Sequence, residues 1–221
     1  MTAKALTEVK PQLKLSSRLK VPVWKVLDHS FGLWDRAGAE KAARLVNEFK
    51  EYEGGFPVVT LFGAKLKMPG YLRNFVLVRY DSPLWPRFYN PPFSCEGKTI
   101  LDAGAGFGET AAYFISKGAS KVICVESDPL AVKLLRENAL RNGFRVEIKE
   151  RRFELGDLDH VDFAKIDIEG GESILVGKGR VEIPCVMETH AGVVKSALCQ
   201  DQGFHEIYRA NERLSLVANY S

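Results

Sequence analysis

No run in this 221-residue chain approaches the roughly 18 apolar residues of a membrane-spanning helix, and its opening, MTAKALTEVK, has no apolar signal-peptide core. A transmembrane protein and a secreted one are therefore not expected. Cysteine is scarce: Cys95, Cys124, Cys185 and Cys199 show no CxxC spacing, and of the four histidines only His190 lies near one of them. That excludes a disulfide-stapled scaffold and a zinc module, so the thiols read as reduced core residues of a cytoplasmic chain. Repeats and low-complexity tracts are missing too, which excludes a solenoid and wholesale disorder. Charge of one sign is also lacking: 31 Lys and Arg against 28 Asp and Glu leave +3, too little to announce a nucleic-acid or membrane binder. The small excess is local. Residues 1–36 hold Lys4, Lys10, Lys14, Arg18, Lys20, Lys25 and Arg36 against Glu8, Asp28 and Asp35, so the rest of the chain is slightly acidic.

What remains is a globular composition, 46% hydrophobic and 10% aromatic, enough for one domain with an appendage. The pattern changes near residue 95. Upstream, Ala42, Ala43, Val46, Phe49 and Tyr52 share one helical face, with Gly54 and Gly55 to end the helix. FPVVTLFGAKLKMPG then offers two extended runs about Gly63, and NFVLVRY a third. Pro83, Pro86, Pro91 and Pro92 crowd one short stretch that can be neither helix interior nor central strand. It marks a boundary between an N-terminal helical and β-hairpin extension, residues 1–95, and a second domain, 96–221. Trp24, Phe31, Trp34, Trp85 and Tyr89 are expected to be core of the extension and its border rather than a stacking surface.

Downstream, strand and helix patterns alternate: KTILDA, KVICVE, RVEIKERRF, FAKIDIE and VEIPCVME, with ETAAYFISKG and DPLAVKLLRENALRNG between the early ones. GFHEIYRA and RLSLVANY read as a closing antiparallel hairpin. The expected fold is α/β, a Rossmann-like, mostly parallel sheet of seven strands.

LDAGAGFGE, residues 101–109, joins the first of these strands to a helix. In such sheets the ligand crevice lies at the carboxyl ends of the strands. Gly104, Gly106 and Gly108 permit tight turns and close backbone approach. The third glycine comes one position too early for a dinucleotide fingerprint, and Glu109 follows it, a poor neighbour for a pyrophosphate. Asp102 at the strand end suits a cationic group such as an α-ammonium. Glu126, at the tip of the next strand, suits the two hydroxyls of a ribose. An amino-acid-bearing nucleoside without phosphate satisfies all three, and S-adenosylmethionine is such a molecule.

DAGAGFGETA, VESDP and KIDIEGGE together resemble the class I S-adenosylmethionine-dependent methyltransferases over about residues 95–220. KIDIEGGE with VMETH at 186–190 is most similar to the FkbM-type branch, whose members methylate hydroxyls of sugars or small metabolites. The resemblance implies Asp102, Gly104 and Gly106 around the methionine part, Glu126 on the ribose, and Phe153 and Glu154 at the adenine edge, with Ala103, Gly108, Ser127 and Asp167 also in the cofactor site. NPPF at 90–93 looks like the loop that grips exocyclic nitrogens in amino-methylating enzymes, but those loops follow the fourth strand and this one precedes the first.

Transfer to a hydroxyl needs a proton acceptor near the ends of strands four and five. His190, with an ordinary pKa near 6.5, is the expected base, with Asp167 and Glu169 beside it. Asp167, Glu169 and Glu188 around a hard cation are the alternative to a base, although no metal is assigned. Glu172 reads as a first-turn helix acid. The leading expectation is O-methylation of a small-molecule or sugar hydroxyl. RNA methylation through the basic N-terminus is the alternative, and a non-catalytic S-adenosylmethionine-binding partner subunit is a further one. Oligomeric state is not encoded legibly.

Overall fold

A computed structural model describes residues 44–169, 171–177, 181–190, 192–209 and 215–220. The charged segment 1–36, with Trp24, Phe31 and Trp34, lies outside them, as do Ala42 and Ala43. The described part forms two units: residues 44–61 with 65–84, and residues 62–64 with 85 onward.

In the first unit the helix ends at 48. Tyr52 is instead in strand β1 (Tyr52–Glu53), paired antiparallel with β2 (Phe56–Leu61). Gly54 and Gly55 are not a helix cap: with φ of 56° and 87° they form the two-residue turn between these strands. The third strand, β3 (Ala64–Lys67), completes this small sheet. NFVLVRY is helical, not extended, running as Leu72–Val76 and a wider turn Leu77–Asp81. A continuous apolar run fits either state. Here burial of Phe75 edge-on to Phe49, and the Asn74 amide donating to the Pro69 carbonyl, favour helix.

The second unit is the seven-stranded sheet. Its strands are β4 (Thr99–Ala103), β5 (Lys121–Glu126), β6 (Val146–Glu150), β7 (Phe163–Ile166), β8 (Cys185–Thr189), β9 (His205–Arg209) and β10 (Ser215–Asn219). The order is β6-β5-β4-β7-β8-β10-β9. The first five are parallel, and the antiparallel closing hairpin inserts β10 between β8 and β9. Central strands are covered on both faces, so β7 is buried at all four positions. Edge strands β6 and β9 carry Glu147, Lys149, Glu206 and Arg209, which discourages pairing with another sheet.

Two helices set the crevice. Helix α1 (Glu109–Ser116) begins directly after the glycine loop, and α2 (Pro129–Asn142) follows β5. Asp128 caps α2 by accepting from the Leu130 and Ala131 amides, Pro129 occupies the first turn, and Gly143 closes the helix with φ of 65°. A third helix, α3 (Gly192–Asp201), leaves the tip of β8. Connections diverge to opposite sides between β4 and β7, which makes their carboxyl ends the switch point where ligands bind.

Candidate active site

The loop after β4 turns through φ of 74° at Gly104, 55° at Gly106 and 95° at Gly108. Each glycine has a partner within the protein. A β-carbon on Gly104 would lie 1.7 Å from the Asp167 carbonyl oxygen, one on Gly106 2.4 Å from the Glu109 carboxylate, and one on Gly108 2.7 Å from Leu135. The packing of β4 on β7 and of α1 on α2 therefore requires glycine here whatever the loop binds. Glu109 folds back to accept from the Phe107 amide at 2.8 Å. Burial pushes its carboxyl up to about 8.

Glu126 stands at the tip of β5 as expected. One carboxylate oxygen accepts from the Gly106 amide at 3.0 Å, the other from the Ser127 and Asp128 amides, both at 2.7 Å. Two carboxylate oxygens can take about four donors, so capacity remains for a hydroxyl. Ser127 contributes its backbone, and its side chain is exposed.

Asp102 is surrounded by protein groups. It has no solvent exposure, and one oxygen takes the Thr110 hydroxyl at 2.5 Å while the other lies 3.3 Å from the ammonium of Lys165, an interior lysine on β7. The sequence reading missed Lys165; the signal was a lone cation in the middle of an apolar central strand, which has to find a buried partner. Its ammonium also donates to the Gly104 carbonyl at 2.9 Å, so it ties β7 to the loop. Burial alone lowers its pKa, but Asp102, Asp167 and Glu109 reverse this and hold it above the usual lysine value. Burial pushes the Asp102 carboxyl up, against Lys165 and Thr110.

Asp167, just past β7, is differently placed. Its Oδ1 is buried without a hydrogen-bond partner among the described residues, although the side chain is partly open. It lies 4.0 Å from His190 Nε2. Asp102 Oδ1 is likewise a buried acceptor without a hydrogen-bond partner among the described residues, so both lie beside the glycine loop with acceptor capacity. Phe153 belongs to the core cluster, and the Glu154 side chain is turned to solvent near Arg151.

His190, Asp167 and Glu188 converge at the ends of β7 and β8, with atoms within 4.8 Å of one another. Glu169 is not in this cluster; it is exposed, on a left-handed turn with φ of 50°. Glu172 is more than a first-turn acid: it is buried, and its carboxylate meets His190 Nδ1 at 2.5 Å. His190 Nε2 is 3.5 Å from Glu188. Burial alone would lower the imidazole, but Glu172, Glu188 and Asp167 lift it to about 10. That direction favours the imidazolium, a poorer proton acceptor than a ring near 6.5.

These shifts set a pH dependence of folding. Both His190 and Glu109 bind protons more tightly folded than unfolded. Their stabilisation is fully present below the unfolded values, near 6.5 and 4.5, and is lost as pH rises through about 8 for Glu109 and about 10 for His190. The melting temperature is expected to fall between pH 7 and 10, and a flat or rising profile in calorimetric scans contradicts this assignment.

NPPF lies elsewhere. Asn90 to Cys95 and Lys117 line an open depression of about 420 Å³, next to the segment where Gly97 donates to the Gly118 carbonyl before β4 begins, at the opposite end of the strands from the glycine loop.

No family model matches the chain. Curated relatives do. The chain is 32% identical over 130 residues to a ribosomal protein L11 methyltransferase from Pectobacterium carotovorum, covering 56% of this chain and 42% of that protein. A namesake from Caldicellulosiruptor saccharolyticus is 30% identical over 106 residues, covering 48% and 34%. The fold is α/β and Rossmann-like, a seven-stranded, mostly parallel sheet. Among solved structures, Aeropyrum pernix fibrillarin with bound S-adenosyl-L-methionine is similar at 14% identity and a TM-score of 0.49, covering 79% of this chain and 85% of that one. The chain spans under half the length of the curated relatives it matches. Among the described residues no helix is long and apolar enough to cross a membrane.

Proposed function

We propose that this chain is an S-adenosylmethionine-dependent methyltransferase acting on a macromolecular acceptor of the translation machinery. The observation that carries the cofactor is the pairing, across one switch point, of the tethered Glu126 carboxylate with the unfilled Asp167 Oδ1. When bound, the cofactor supplies a methyl group on a sulfonium, an electrophile whose leaving group is already good. Catalysis then falls to positioning and exclusion of water. Glu126 would hold the ribose hydroxyls, braced by the Gly106, Ser127 and Asp128 amides, and Asp167 would hold the ammonium.

The acceptor rests on the relatives, whose names specify a ribosomal protein. This favours a protein or RNA acceptor over the small-molecule hydroxyl implied by the FkbM-type strings. The hydroxyl reading keeps one supporting observation, the convergence of Glu188, His190 and Asp167 at the strand ends, where a proton has to be taken.

Titration calorimetry with S-adenosylhomocysteine is expected to show one site. Glu126→Ala is expected to weaken it by ten-fold or more, as the loss of charge-assisted hydrogen bonds worth about 1.5–3 kcal/mol. Unchanged affinity removes Glu126 from the site, and no heat from the unaltered protein removes the cofactor. Transfer of labelled methyl to ribosomal proteins, ribosomal RNA and a hydroxyl panel then separates the acceptors. Binding without turnover on any of them leaves a partner subunit.

A further inference from the structure

We infer that Glu172 is a positioning residue whose buried carboxylate fixes His190 as a protonated ring, with Nδ1 bound behind and Nε2–H presented to Glu188 and Asp167 at the mouth of the crevice. The meaning for catalysis rests on the methyltransferase reading; the geometry does not. Glu172 opens the short helical turn Glu172–Leu175 after β7, whereas His190 follows β8, so the 2.5 Å contact bridges the two connections that frame the acceptor side. Glu172 is 1% exposed, so the contact is shielded from solvent. On the open side the ring meets Glu188 at 3.5 Å and Asp167 at 4.0 Å. Lys165, behind Asp167 at 3.9 Å, is the remaining charged group at the cluster.

The consequence is chemical. A ring protonated on both nitrogens has no lone pair to offer an acceptor, so the proton-accepting group facing the crevice is a carboxylate. Glu188 qualifies: it is the next-to-last residue of β8, is only partly exposed, and burial pushes its carboxyl upward, which makes it a better proton acceptor than an ordinary surface acid. His190 acts through it as a fixed N–H donor. Glu172, in turn, acts through His190.

The test needs no acceptor. With histidines labelled at Cε1, and His190 assigned by comparison with His190→Gln, proton–carbon spectra are recorded from pH 5 to 10.5 for the full chain. His190 is expected to remain protonated through neutral pH and to titrate only in the alkaline range. Glu172→Gln is expected to lower its proton affinity by roughly ten-fold or more, the worth of one charge-assisted hydrogen bond. Glu172→Asp is expected to recover part of that loss. Titration of the unaltered protein between 6 and 7, or a Glu172→Gln midpoint equal to the parent's, overturns the assignment. Should Glu172→Gln fail to fold, Glu188→Gln provides the second comparison: it removes only the open-side partner, so His190 is expected to stay protonated at pH 7, and a neutral ring in that variant overturns the role of Glu172. S-adenosylhomocysteine calorimetry on the same samples keeps the two ideas apart. A silent calorimeter with an alkaline His190 defeats the methyltransferase reading alone, and binding with an ordinary His190 defeats this inference alone.

Discussion

Gly104→Ala is expected to lose about 4 kcal/mol of folding stability, the range reached only by severe single substitutions. Two effects add. The residue has φ of 74°, where an alanine is strained by about 1–2 kcal/mol. Its new methyl would also stand 1.7 Å from the Asp167 carbonyl oxygen. That neighbour is backbone, held by the Asp167 amide donating to the Ala103 carbonyl at 3.0 Å, so relief requires parting β4 from β7. Overpacking of this kind costs about 1–3 kcal/mol. Gly143→Ala isolates the strain: its φ is 65° but nothing lies within 4 Å. It is expected to lose only about 1–2 kcal/mol. Gly106→Ala should fall between, because the Glu109 carboxylate it meets can swing aside at the expense of its Phe107 hydrogen bond. Urea unfolding of the three variants gives the order directly. Equal losses for Gly104 and Gly143 would mean that the strand ends are not in contact.

The sheet was legible because its signals are local and repeated. Apolar runs bounded by glycine and helix caps placed all seven strands, and Asp128-Pro129 with Gly143 marked both ends of α2. The upstream unit was less legible. NFVLVRY has no periodicity to decide between states, and two adjacent glycines serve equally well after a helix or inside a hairpin. At the site, sequence placed Glu126, Asp167, Glu188 and His190 at strand ends, where the structure has them. It could not assign partners. Whether an acid at the end of a strand faces the crevice or a buried lysine depends on side-chain direction across neighbouring strands. Asp102 and Lys165 are adjacent only through the β4–β7 register, which pairs them directly. Glu172 and His190 are 18 positions apart, and only the return of the chain from β7 to β8 brings them together. The pKa expected of His190 had the same limit, since an ordinary histidine value holds only while its neighbours are unknown.

Lys165→Met carries the other large expected effect, a loss of about 3–5 kcal/mol, because removing one partner strands a buried charge. Lys165 and Asp102 are both almost wholly buried, so water cannot take over for the missing ammonium. Methionine matches the stem in length but offers nothing to the Asp102 carboxylate or to the Gly104 carbonyl, which loses its 2.9 Å donor. The pH dependence identifies the cause. Burial already pushes the Asp102 carboxyl up with Lys165 in place, and without Lys165 the opposing pull disappears. In the variant this group's folded pKa stands further above its unfolded value, so the protonated form fits best and stability is lost as pH rises through the folded value. The deficit relative to the parent should therefore be smaller at pH 5 than at pH 8. Asp102→Asn combined with Lys165→Met removes the stranded charge, and its loss is expected to be well below the sum of the single losses, as for residues that interact directly. Chemical denaturation at the two pH values decides it. A deficit that grows toward acid, or two single losses that simply add, would show that the pair contributes by shape and not by charge.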